Sequence, residues 1–144
     1  PTPDEATLRA VAEHVAGELA PAGVEVVMAA PRYHRVCAEV GIVIDPTTDS
    51  GATVGRVLKS LDGYLHPLTG GDNGEGWPFG GTLVYSALMR RLVSTVEGVS
   101  AVPRMNLVVD GIRFPRCADV PISPHALLWP EGHEVVVVDS GETR

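Results

Sequence analysis

The sequence predicts an α+β fold, with a mainly antiparallel sheet, about three helices and a C-terminal β-hairpin. Three observations predict it. Apolar residues recur at helical spacing in three separate stretches. Two long stretches alternate apolar and other residues, as half-buried strands do. The elements run helix, strand, strand, helix, helix, strand and hairpin, an order that favours an antiparallel sheet over a wound parallel one. With 144 residues, one domain is the default, and 44% hydrophobic content is enough for a core. Aromatics are only 5%, so Val, Leu and Ala must build that core. Residues 1–111 are expected to form the α+β core. Residues 112–144 are expected to add an irregular connection and a hairpin packed on the same domain.

The first helix starts at Thr2-Pro3-Asp4-Glu5, where Thr2 can cap, Pro3 suits the first helical position and Glu5 completes a capping box. Leu8, Val11, Ala12, Val15 and Leu19 follow at helical spacing, and Pro21 and Gly23 end the helix. Val24–Ala30 reads as a strand. Pro31-Arg32-Tyr33-His34 separates it from a second, alternating strand through Val36, Ala38, Val40, Ile42 and Ile44, and the two are expected to be neighbours. After a turn at Pro46–Ser50, Val54, Val57, Leu58, Leu61 and Leu65 make one helical stripe. Gly55 and Gly63 weaken that helix by about 1 kcal/mol each, which points to tertiary packing or to close approach of a partner. Pro67 disfavours helix at His66 and ends it. Ser86 is the expected cap of a third helix carrying Leu88, Met89, Leu92, Val93 and Val96, closed by Gly98. Val99–Val109 reads as a strand that Pro103 places at an edge or a bulge. Asp110-Gly111 is a turn, and Ala126–Trp129 and His133–Val138 are the arms of the expected hairpin across Pro130-Glu131-Gly132.

A net charge of −7 argues against a nucleic-acid binder, which needs a basic face, and against docking on an anionic membrane. No apolar run reaches the length of a membrane span. Pro1–Ala6 is polar and does not read as a signal peptide. Pro1 is not an initiator Met, so the chain is expected to be a segment of a longer protein. Cys37 and Cys117 have neither disulfide-framework nor zinc spacing. Cys37 sits in an alternating apolar stretch and reads as a small buried hydrophobe; Cys117 reads as a bystander thiol in a polar loop. Such low cysteine use fits a reducing cytoplasm.

The most unusual stretch is TGGDNGEGWPFGG, Thr69 to Gly81, with six glycines. It lacks the lysine of a phosphate-binding loop, and a helix rather than a strand precedes it, which excludes the dinucleotide pattern. Asp72, Asn73 and Glu75 offer oxygen ligands but without the alternating spacing of a calcium loop. They read first as a solvated turn, with Asn73-Gly74 supplying positive φ, and a weak calcium or magnesium site is the minor alternative. His14, His34, His66, His125 and His133 show no metal-sharing spacing on one helix. His66 reads as a residue that stabilises a helix end. No G-x-S-x-G turn and no carboxylate pair stands out. No catalytic residue, cofactor or metal is therefore expected, and the chain is not expected to be an enzyme. Trp77 and Phe79 either fold back onto their own domain or anchor a neighbour. His66, Trp77, Pro78, Phe79 and Tyr85 are the candidate interface residues.

Tyr64-Leu65-His66-Pro67-Leu68-Thr69-Gly70-Gly71, followed by Gly76-Trp77-Pro78-Phe79-Gly80, resembles a hallmark of the baseplate J-like, or wedge, proteins of phage-tail-like contractile injection systems. Pro31-Arg32-Tyr33 before a valine-rich strand, Tyr85-Ser86 before a helix, and Val96-Glu97-Gly98-Val99 are similar to that family as well. So is the tail, Pro124-His125-Ala126-Leu127-Leu128-Trp129 to Gly132-His133-Glu134-Val135. The likeness spans about Leu8 to Val138, in the C-terminal region of those proteins. Gly81 stands where a polar or charged residue is usual, and Ala87 where an acidic one often follows the serine.

The resemblance implies structural work. Wedge proteins assemble in copies around a central hub and spike, link it to the sheath, and rearrange on contraction. The implied partners are other wedge subunits, hub and spike proteins and sheath proteins, in a multi-copy, six-fold assembly without nucleic acid or membrane insertion. The implied location is a cytoplasmic assembly whose particle is released or stays inside the cell. Two other readings compete. One is a metal- or ligand-binding accessory domain that uses the loop 69–81. The other is a hydrolase whose nucleophile and base come together from distant positions.

Overall fold

The computed structural model describes residues 2–139; Pro1 and residues 140–144 lie outside it. The fold is α+β with mostly antiparallel strands. Its elements are α1 (Glu5–Glu18), β1 (Arg32–Ile44), α2 (Ser50–Leu65), β2 (Thr82–Leu83), α3 (Tyr85–Thr95), β3 (Val99–Val109), β4 (Ile112–Arg113), β5 (Val120–Pro121), β6 (Ala126–Pro130) and β7 (Glu134–Val137). The chain divides into two compact units, with the boundary between Arg32 and Tyr33.

The first unit holds α1. Its cap is Asp4 rather than Thr2: the Thr7 backbone N–H donates to Asp4 Oδ1 at 2.7 Å. A carboxylate at that position also complements the positive end of the helix dipole. No residue of α1 is buried, and its apolar stripe ends in Leu19, 72% exposed. The strand expected over Val24–Ala30 does not form, because no strand among the described residues pairs with it. Val24 and Val27 are left exposed, and the expected pairing of this segment with β1 is absent.

The second unit holds the core. β1 and β3 pair antiparallel from Val36↔Val109 to Ile44↔Val99. Along β1, Val36, Ala38, Val40 and Ile42 point inward, the alternation the sequence predicts. The ladder slips between Gly41 and Val43, whose partners are Arg104 and Ala101, so Pro103 sits in a bulge where its missing N–H does no harm. Asp110 and Gly111, both at positive φ, turn the chain into β4. Residues 112–124 are thus less irregular than expected: β4 extends the main sheet, and β5 pairs with β2.

The C-terminal strands do not form the expected hairpin. β7 pairs with β1 in parallel, from Glu39↔Glu134 to Ile42↔Val137, and β6 also pairs with β1. Between them the Glu131 N–H donates to the Val36 carbonyl, and the His133 ring accepts the Ala38 N–H through Nδ1 at 3.0 Å. The tail therefore follows β1 past Pro130-Glu131-Gly132 instead of reversing. A long, apolar edge of β1 satisfies more backbone groups than a short hairpin would.

Helices α2 and α3 cover one face of this sheet, α3 against β3 and α2 against β6 and β7. Thr53, Val57, Leu61, Tyr64 and Leu65 of α2 and Tyr85, Leu88 and Leu92 of α3 are buried there. The opposite face carries polar groups, among them Glu39, which accepts from Arg113 at 2.6 Å and from Asn106 at 3.3 Å. Ser86 does not cap α3. The helix begins one residue earlier, and Asp119 accepts the Tyr85 N–H at 2.9 Å in place of a local cap. Among the described residues no helix is long and apolar enough to cross a membrane.

Candidate assembly surface

The glycine-rich loop starts where α2 stops. His66 adopts an extended conformation ahead of Pro67, and its ring turns toward the following residues. His66 Nδ1 accepts the Leu68 and Thr69 N–H groups at 3.3 Å and lies 2.9 Å from Thr69 Oγ1. The ring thus braces the turn after the helix, not the helix carbonyls as the sequence suggested. Those carbonyls are taken by the loop itself: the Gly70 N–H donates to His66 and the Gly71 N–H to Tyr64, both at 2.8 Å. A Cβ at Gly70 would run into the Tyr64 carbonyl, so only glycine permits this closure.

Trp77 completes the closure. Its indole Nε1–H donates to the Tyr64 carbonyl at 2.8 Å, and its backbone N–H donates to Pro67 at 2.9 Å. The indole meets the Tyr64 ring edge-on, with centroids 5.4 Å apart. The Tyr64 hydroxyl donates to Asp72 at 3.3 Å, and Arg91 lies over the tyrosine ring at 4.9 Å. Burial, and then the Asp72 carboxylate, push the Tyr64 phenol up to about 12. Trp77 therefore folds back onto its own domain and packs against the core. Tyr85, another interface candidate, is also internal: its side chain is buried and its hydroxyl donates to the Met105 carbonyl at 2.8 Å.

Pro78 and Phe79 differ. The Gly80 N–H reaches the Ala126 carbonyl at 3.3 Å, and Gly80 packs so closely on Pro124 that a Cβ would come within 2.9 Å of its Cα. The backbone is pinned inward while Pro78 is exposed and Phe79 stands 59% exposed. Leu68, on the same loop, is equally exposed at 59%. The loop is a clasp whose polar backbone is turned in and whose apolar Leu68, Pro78 and Phe79 are exposed. Asp72 already accepts from Tyr64, and Asn73 and Glu75 are exposed at the tip. Among the described residues no group of three or more His, Cys, Asp or Glu side chains is placed to hold a metal ion.

A second feature lies between α2 and α3. Arg56, Lys59, Ser60, Gly63 and Arg91 line a shallow groove of about 340 Å³. Arg91 Nε is buried there with no hydrogen-bond partner. Gly55 and Gly63, which the sequence marks for close helix approach, leave an open shelf in this chain: a Cβ at either would meet nothing within 4 Å. Cys37 is half-buried, with its thiol donating to the Gly132 carbonyl at 3.1 Å; burial first, then Glu134 and Glu39, push its pKa up. Cys117 is exposed, in the left-handed region at φ 60°.

One cluster escaped the sequence reading. His34, Asp110 and Ser123 meet at hydrogen-bond distance although 76 and 89 residues separate the pairs. No local motif marks them, and only the β1–β3 register brings the first two together. No family model matches this chain, and no curated protein matches its sequence.

Proposed function

We propose that the chain is a structural component of the baseplate wedge of a phage-tail-like contractile injection system, assembling around the hub and linking it to the sheath. One observation carries this reading. The stretches that resemble the wedge family, Tyr64–Gly71 and Gly76–Gly80, form a clasp that satisfies much of its own backbone and presents Phe79 and Leu68 outward. A loop built that way has few free groups for a ligand and a stiff apolar tip for a neighbouring protein. The partners in this reading are other wedge subunits, hub and spike proteins and sheath proteins, in a multi-copy, six-fold assembly. The particle forms in the cytoplasm and is then released or retained. The role is one of contact and needs no catalysis.

The test is deletion of this segment from the parent gene, followed by negative-stain electron microscopy of particle preparations. Loss of baseplates or of sheathed tubes, with the truncated protein still expressed, is the expected result. Normal contractile particles would overturn the reading and return attention to ligand binding at residues 69–81.

A further inference from the structure

Three side chains from distant parts of the chain converge beside the start of β1. Asp110 Oδ2 stands 2.6 Å from His34 Nδ1, and Ser123 Oγ stands 3.1 Å from His34 Nε2. The direction of these bonds follows from chemistry. The hydrogen bond from His34 is the largest influence holding the Asp110 carboxyl below its ordinary 3.8, with burial opposing. An ionised carboxylate only accepts, so the proton between the two groups sits on Nδ1, and in the neutral tautomer that carries it the lone pair of Nε2 faces the serine hydroxyl. That is the order of groups in a serine nucleophile, its base and the carboxylate that orients the base.

The carboxylate is held firmly. The Arg35 N–H donates to Asp110 Oδ1, and the Asp110 N–H returns to the Arg35 carbonyl, both at 2.9 Å. Asp110 occupies the left-handed region at φ 51°, a conformation that a non-glycine residue keeps only when its surroundings fix it. Ser123 is anchored from both sides. The Ile122 N–H donates to Gly81 at 3.0 Å, and the Ser123 carbonyl accepts from Ala126 at 2.9 Å. The serine itself is exposed and open to a reagent.

We propose that Ser123 is a nucleophile that accepts acyl groups from small activated esters or thioesters, with His34 as general base and Asp110 as the residue that positions it. In the step, Ser123 Oγ forms a bond to the acyl carbon and the donor's C–O or C–S bond breaks. The hydroxyl proton passes to His34 Nε2 and then to the departing oxygen or sulfur. The products are an O-acyl serine and a free alcohol or thiol. The residue after the serine limits turnover. The N–H at that position commonly helps to stabilise the oxyanion, and here the residue is Pro124, which has none. Loss of one such donor slows turnover by about 10²–10³-fold. Acylation and release both pass through that oxyanion and both slow, but an activated leaving group offsets the loss in acylation alone, so Ser123 should take one acyl group and release it slowly. A groove of about 460 Å³ borders Asp110 and is lined by neither His34 nor Ser123. The inference stands whether or not the chain belongs to an injection particle.

The full chain is treated with p-nitrophenyl acetate, and the release of nitrophenolate, the intact mass and the modified peptide are followed. The expected result is a burst of about one equivalent, with a single acetyl group on Ser123 and little further turnover. Ser123→Ala, which removes the hydroxyl and its hydrogen bond to His34, should lose that burst while keeping its far-UV spectrum and a little-changed melting midpoint. His34→Gln should slow acylation by about a hundredfold or more, the usual contribution of a general base. Acetyl groups confined to Lys59, Cys37 or Cys117 would overturn the proposal. So would acylation of Ser123 at an unchanged rate in folded His34→Gln.

Discussion

Trp77 and Phe79 are two residues apart and have opposite fates, which separates stability from contact at the level of single side chains. Trp77→Ala removes an aromatic packed on the core together with the hydrogen bond to Tyr64, and should destabilise the chain by about 3 kcal/mol. Phe79→Ala removes an exposed ring and should change stability by less than about 0.5 kcal/mol. Urea denaturation of both variants checks the pair; in the wedge reading Phe79→Ala is the one that impairs particle assembly. The sequence could not decide between these fates, because the deciding partner, the Tyr64 carbonyl, is freed only by the way α2 ends. His133 makes a second prediction at this scale. Its ring is buried, and that burial lowers its pKa below the ordinary 6.5; Asp62, 3.5 Å away, works in the opposite direction but is largely exposed and so screened. The unfolded chain therefore binds the proton more readily than the folded one, so stability is full above pH 6.5 and falls as pH drops through 6.5 toward the folded value. Protonation of Nδ1 would also remove the acceptor of the Ala38 N–H. Melting midpoints of the wild type should fall across that window, and those of His133→Gln should fall less.

At the scale of elements, the glycines give the clearest contrasts. Gly76 sits at φ 93°, and a Cβ there would come within 2.7 Å of the Pro67 carbonyl. Gly76→Ala should therefore cost more than about 1 kcal/mol from backbone conformation alone, before any clash. Gly63 lies in α2 with nothing near its missing Cβ, so Gly63→Ala should stabilise the isolated chain by about 0.4–1 kcal/mol. Thermal melts of the two variants in parallel test both signs. The regular elements were largely legible. α2 ends at His66-Pro67 and β3 spans Val99–Val109 as the sequence reads, because each carries a full apolar period closed by a residue that stops it. The misreadings share a cause. Val24–Ala30 has a strand's composition but no partner strand among the described residues, and β7 finds its partner in β1 rather than in β6. Strand propensity marks what can pair, not with what.

At the scale of the whole molecule, the buried cluster is drawn from Val36 to Leu128, and α1 contributes nothing to it. A chain that begins at Pro31 keeps that whole cluster and should unfold in one cooperative urea transition. Transitions that differ between fluorescence and circular dichroism would overturn this expectation. The α+β class was legible because it depends on the periods of single elements. The site built by His34, Asp110 and Ser123 was not, because it depends on three separate segments arriving at one place. The parallel seam between β7 and β1 has a consequence for how the molecule is made. His133 meets Ala38 across 95 residues of chain, so a ribosome must deliver all of that intervening stretch before that edge can close. Until then β1, the longest strand, waits in the cell with one flank bare, and this interval during translation is when a chaperone or a wrong neighbour has its best opportunity.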